Sequence, residues 1–109
     1  MVKISGTASF EFYGKYFADQ IILDIDSSRM KCQVDSYFPS LVQKFNKDIT
    51  DIHLTLGNVS FPIELSGLLS WFTATETPSI GCEFRGLSSD TVGKLDYFIK
   101  TACSKNHDL

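Results

Sequence analysis

Asp24 and Asp26 stand two positions apart, the spacing that puts two side chains on one face of a strand. A carboxylate pair of this kind is the arrangement in this chain that could carry acid–base chemistry. Such a pair works only where its surroundings push the two proton affinities apart. Here it lies in Asp24-Ile25-Asp26-Ser27-Ser28-Arg29, a run dense in turn formers. Asp and Ser side chains in such a run bond to their own neighbouring backbone and stabilise a turn. His53 sits between Ile52 and Leu54 in an alternating segment and so points outward from a strand, and His107 lies near the chain end. No Ser-His-Asp set, metal-ligand spacing or phosphate loop can be assembled from the remaining residues. We therefore expect a protein that is not an enzyme, with no catalytic residues, no metal site and no cofactor.

Charge and cysteine usage narrow the class further. The chain has 109 residues, with 13 acidic and 10 basic side chains and a net charge of −3. Only Arg29 and Arg85 are arginines. Polyanion binding needs a concentrated basic face, so no DNA or RNA partner is expected. The cysteines, Cys32, Cys82 and Cys103, are odd in number and lack Cys-x-x-Cys spacing. Cys32 and Cys82 fall in apolar alternating runs and read as small buried hydrophobes of a reducing compartment. Cys103, near the end, reads as an exposed thiol. Neither a signal-peptide core nor a membrane-length apolar run is visible, so a cytoplasmic protein with no membrane span is expected. Asn58-Val59-Ser60 fits a glycosylation sequon, which has no use in that compartment. The starting Met and the polar tail suggest a complete chain.

Strands must position these residues. Ile4, Ala8, Phe10 and Phe12 alternate, with Gly6 in the remaining place, and Gly14-Lys15 reads as a turn. Ile21, Leu23 and Ile25 form a second alternating run, and Met30, Cys32 and Val34 a third. Residues 36–48 suit a helical turn, with Ser36 or Asp35 as N-cap and Leu41, Val42 and Phe45 on one face. Ile52, Leu54 and Leu56, then Gly57-Asn58, then Val59, Phe61, Ile63 and Leu65, read as a hairpin with a two-residue turn. Pro62 cannot donate a ladder hydrogen bond and implies an edge or a bulge. Gly67 reads as a bend, residues 68–74 as a strand carrying Trp71, residues 75–79 as a polar turn, and Ile80, Cys82 and Phe84 as the last strand. After Ser88-Ser89-Asp90 the period changes: Val92, Leu95, Phe98, Ile99 and Ala102 recur at threes and fours, the pattern of an amphipathic helix over about 89–103. Lys100 and Lys105 suit its end, and residues 106–109 read as a frayed tail. The expectation is a single domain over 1–109, mainly β. It is a small antiparallel barrel of six to seven strands over about 4–87, closed by a C-terminal α-helix.

This order resembles the PilZ domain, a small split-barrel module known in bacteria as a receptor for cyclic di-GMP. Ile22-Leu23-Asp24-Ile25-Asp26-Ser27-Ser28-Arg29-Met30-Lys31-Cys32 resembles the family's (Asp/Asn)-x-Ser-x-x-Gly turn. Ile80-Gly81-Cys82-Glu83-Phe84-Arg85-Gly86-Leu87-Ser88 resembles its last strand, which runs into the closing helix. The hairpin and Leu65-Ser66-Gly67-Leu68-Leu69 fall between them in the expected order, so the resemblance spans about residues 4–102. The departures are localised. The family's Arg-x-x-x-Arg ahead of the first strand is absent, since no arginine precedes Arg29. Asp24 matches the first position of the turn motif, but Asp26 replaces its serine and Arg29 its glycine.

Arginine's planar fork suits phosphate oxygens and the O6/N7 edge of guanine. Losing both arginines removes charge-assisted bonds worth roughly 1.5–3 kcal/mol each. Asp26 would add repulsion near the phosphates, and Arg29 implies an ordinary turn or a blocked pocket. The resemblance therefore implies a non-catalytic signalling or adaptor module that touches another protein of a signalling, motility or pilus system. Weak or no cyclic di-GMP binding is expected. The candidate contact residues are the aromatics Tyr13, Tyr16, Phe17, Tyr37 and Phe38, read as exposed, because exposed apolar patches mark partner sites. The alternative is a cyclic di-GMP receptor with a non-standard site at Asp24, Asp26 and Arg29. In it Asp24 would accept guanine N–H groups and Arg29 would supply a substitute cation.

Overall fold

A computed structural model describes residues 5–107, with side chains described through Ala102. Seven strands and two helices follow one another as β1 Gly6–Phe12, β2 Lys15–Ile25, β3 Arg29–Gln33, α1 Phe38–Leu41, β4 Asp48–Leu56, β5 Val59–Ser60, β6 Leu65–Phe72, β7 Ser79–Arg85 and α2 Ser89–His107. The strands pair antiparallel in the order β1-β2-β3-β7-β6-β4, and β1 pairs with β4 to close a six-stranded barrel. The two-residue β5 adds to β4 outside this ring. The fold is thus mainly β with a C-terminal helix, as the alternation implies. Among the described residues, no helix is long and apolar enough to cross a membrane.

Two tight turns contain residues at positive φ, each including a glycine. Phe12 pairs with Lys15 across Tyr13-Gly14, whose φ values are 52° and 73°. Positive φ at both central residues is the type I′ pattern that matches strand twist. The expected Gly14-Lys15 turn therefore sits one residue earlier. The Gly57-Asn58 turn is where the sequence places it, between Leu56 and Val59. The hairpin's second arm, however, breaks after Ser60. The Phe61 amide still donates to the Leu54 carbonyl at 2.8 Å, then the chain leaves the sheet around Pro62 before resuming as β6.

Bulges shift the buried side of several strands. Between the pairs Ala8↔Gln20 and Phe10↔Phe17, β2 carries one extra residue. Asp19 adopts φ 52° there, and its amide donates to Ser9 Oγ at 2.9 Å. A second bulge follows between Ile22 and Asp24. Phe17, Gln20, Ile22 and Ile25 consequently face the core, and Ile21, expected inside, faces solvent. Buried Gln20 finds full use: its Oε1 accepts from the Asp35 amide at 2.8 Å, and its Nε2 donates to the Ala18 carbonyl at 2.9 Å and to Asp35 Oδ2 at 3.3 Å. It ties β2 to the start of the α1 connection.

The core is dominated at one end by phenylalanine. Phe38 packs against Phe12, Phe17 and Phe10, with ring centroids 4.6, 5.1 and 6.4 Å away. The helical turn expected in residues 36–48 is the four-residue α1. Its N-cap is Tyr37, without a side-chain capping bond, in place of Ser36 or Asp35. Leu41 and Val42 pack on the core, whereas Phe45, expected on the same face, is 91% exposed. At the other end α2 starts with Ser88 Oγ accepting from the Thr91 amide at 3.1 Å, an N-cap that satisfies one otherwise unpaired donor. The helix buries Leu95 and Ile99 and sets Phe98 against Phe61, ring centroids 5.1 Å apart. It reaches His107, past the expected end at 103. The expected roles of Ile4, Cys103 and Lys105 and the end of the tail at Asp108-Leu109 concern placements outside the described residues.

Cys32 and Cys82 are free, buried thiols on β3 and β7, as their alternation implies. Burial pushes both thiols up, Cys82 to about 12 with the Glu83 charge adding to the effect.

Candidate functional site

The Asp24–Arg29 segment forms the β2–β3 turn. The Asp26 amide donates to the Arg29 carbonyl at 2.9 Å, closing it. Asp26 Oδ1 then accepts from the Ser28 amide at 2.8 Å, the Ser28 hydroxyl at 2.7 Å and the Arg29 amide at 3.0 Å. Arg29 Nε lies 3.9 Å from Asp26 Oδ2. The carboxylate therefore holds the turn together from within, and the structure brings Asp26 and Arg29 side by side. Asp24 is not part of this knot: it lies within β2, opposite Lys31.

Partial burial pushes the Asp26 carboxyl up, but the bonds from Ser28 and Arg29 outweigh it and hold the group below its ordinary value of 3.8. A depressed folded-state value means that its stabilisation is complete above 3.8 and disappears as pH falls through the depressed value. Asp26→Ala is expected to lower stability by about 1 kcal/mol near neutral pH. The gap to wild type should close in acid. Thermal melts of both proteins across this range check the sign, and a gap that widens in acid contradicts it.

Beyond the turn, the outer wall of the barrel runs across β3, β7 and β6. Lys31 lies opposite Gly81, and Gly81 opposite Trp71. Trp71 reaches this wall because of a bulge. Leu65, Gly67 and Leu69 face inward, so strict alternation would send Trp71 inward as well. The register shifts between Leu69 and Trp71, which turns the indole outward; re-aiming a side chain is a known effect of a bulge. The indole lies against the Gly81 backbone, where a Cβ would collide with its pyrrole edge. Lys31 Nζ is 5.7 Å from the ring centroid, within cation–π reach. Trp71 and Phe72 are each 42% exposed.

A hollow of about 210 Å³ beside Trp71 is lined by Arg29, Lys31, Gly81 and Glu83 among others. Small-molecule sites usually enclose roughly 300–1,000 Å³. Glu83 is in turn paired with Arg85 at 3.0 Å. This surface can stack a flat or apolar group and offer it cations, but it encloses little.

The aromatics read as contacts separate into two sets. Tyr13, Tyr16 and Tyr37 are exposed. Phe17 and Phe38 are fully buried, so these two rings are core and present no contact surface. The reason is local: Phe17 lies opposite inward-facing Phe10, and Phe38 is the residue that anchors α1. Tyr37 stacks on Phe17 at 5.1 Å, and Tyr13 Oη accepts from Gln43 Nε2 at 2.8 Å, linking this face to the α1–β4 loop. Trp71, Phe72 and Lys31 were not singled out from sequence. A bulge leaves no mark in the alternation that would show Trp71 facing out.

His53 points outward from β4, its Nε2 3.6 Å from Glu64 Oε1. The Glu64 carboxyl is raised by a hydrogen bond with Asp51 and by that group's charge. Among the described residues, no three His, Cys, Asp or Glu side chains converge as metal ligands. No protein-family model matches this chain, and no curated protein matches it in sequence.

Proposed function

We propose that this chain is a non-catalytic PilZ-like module of the bacterial cytoplasm. It works by contact with another protein of a signalling, motility or pilus system, with weak or no binding of cyclic di-GMP. The observation that carries this reading is the bulge at Ser70, which aims the indole of Trp71 out of the barrel beside exposed Phe72 and Lys31. Outward Trp and Tyr side chains are the residue types that dominate protein interfaces. Two further observations support it. Arg29 lies beside the Asp26 carboxylate and Arg85 is paired with Glu83 at 3.0 Å, so a phosphate placed there would compete with carboxylates for both arginines.

Affinity capture from the source bacterium tests this reading. The wild-type chain should retain a protein partner that Trp71→Ala or Tyr16→Ala loses by about thirtyfold, the scale of an interface hot spot. Identical capture by all three chains contradicts it. The second reading, a cyclic di-GMP receptor at Asp24, Asp26 and Arg29, draws on the open indole with Lys31 at its edge, because stacking and a cation together suit a purine nucleotide.

A further inference from the structure

A groove of about 470 Å³ runs along the other side of Trp71, between β6 and the α1–β4 loop. Its walls are Val42, Leu69, Trp71 and Phe72, with Lys44 and Lys47 at the loop. Its lining carries two ammonium groups and no carboxylate, in a chain of net charge −3. The groove follows from the barrel's register. The last pair between β4 and β6 is Asp48↔Leu68, and the Leu69 amide then donates to the Lys47 carbonyl at 2.8 Å. Past that point β6 continues through Ser70, Trp71 and Phe72 with β7 on one side. Among the described residues, no strand pairs with its other side, where the groove lies. The loop wall is held in place: Gln43 Nε2 bonds to Tyr13 Oη at 2.8 Å, and Gln43 bridges to Asn46.

We infer that this groove receives an extended, acidic segment of the partner protein, laid along the open edge of β6. The inference rests on the interaction-module reading and names the partner's chemistry. An extended chain can add itself to an open sheet edge, with main-chain bonds supplying affinity and alternate side chains supplying specificity. Its apolar side chains pack against Val42, Phe72 and the indole, over the buried Leu69 at the floor. Its carboxylates meet Lys44 and Lys47. A negatively charged protein repels such a segment over most of its surface, so this basic strip selects both its place and its register.

Trp71 is the single tryptophan, so its emission reports the groove directly. The test selects binders from a tryptophan-free random heptapeptide library on the wild-type chain and titrates the selected peptides against that emission. The selected peptides should alternate acidic and apolar residues and shift the Trp71 emission. They should bind about tenfold more weakly to Lys44→Glu/Lys47→Glu, whose circular dichroism and Tm should match wild type because both lysines are exposed. A selection without acidic enrichment, or equal binding to the double variant, overturns the inference. Peptides that instead perturb the NMR signals of Tyr13, Tyr16 and Tyr37 and leave Trp71 unchanged also overturn it, while the interaction-module reading stands. If no peptide is selected and only cyclic di-GMP binds, both fall.

Discussion

Phe38→Ala is expected to cost about 3–5 kcal/mol, the cost of emptying a large buried aromatic site. Phe38 is fully buried and its ring meets three others, Phe10 on β1, Phe12 on β1 and Phe17 on β2. It is also the buried residue of α1, a single turn with no side-chain N-cap and no charged residue complementing either end. A four-residue helix has almost no stability of its own, so this packing is what holds it. Removing the ring opens a cavity that β1 and β2 cannot fill, because both are fixed in the closed barrel. Small domains have about 5–15 kcal/mol in total. Denaturant unfolding should show a large fall in midpoint, and the tether from Gln43 to Tyr13 should loosen with it. Tyr37→Ala, which removes a half-exposed ring, should cost far less. Equal losses in the two variants would contradict the anchoring role of Phe38.

Gly67→Ala is the second large effect, expected at about 2–3 kcal/mol or more. Gly67 faces the core opposite Phe84, and a Cβ there would run into the Glu83 carbonyl oxygen and come within 2.6 Å of Cys82 Sγ. The obstacle is the β7 backbone, which cannot step back without breaking its pairing with β3 or β6. Gly81→Ala gives the contrast. Its Cβ would meet the Trp71 indole, the far end of a side chain that can swing into solvent. That variant should stay near wild-type stability while its tryptophan emission moves. Equal destabilisation by both substitutions would mean that the indole is not free to leave the wall.

These two glycines show what alternation can and cannot convey. The barrel class, the Gly57-Asn58 turn and the closing helix were legible, because burial of one face imposes a period on the sequence. Gly67 read as a bend, yet it lies inside β6 where two backbones approach closely. The misplaced residues gather at bulges. Asp19 and Asp51 both take positive φ where an extra residue interrupts a ladder. Asp tolerates positive φ, but a single Asp within an alternating run does not by itself mark a bulge. One such residue reverses the face of everything beyond it. Hence Ile21 is surface and Trp71 is outside. The Asp24–Arg29 turn was legible as a turn, and its internal knot around Asp26 is the arrangement that Asp and Ser favour there. The groove beside β6 was not legible, because it depends on where β4 stops pairing.

The proposed contact lies on the Trp71 side of the barrel, and Arg29 sits beside the Asp26 carboxylate in the turn. Calorimetric titration with cyclic di-GMP tests that claim most directly, using the wild-type chain and Arg29→Ala. We expect no heat of binding up to several hundred micromolar nucleotide in either protein. Micromolar binding to wild type that disappears in Arg29→Ala would contradict the account and make this barrel a nucleotide receptor.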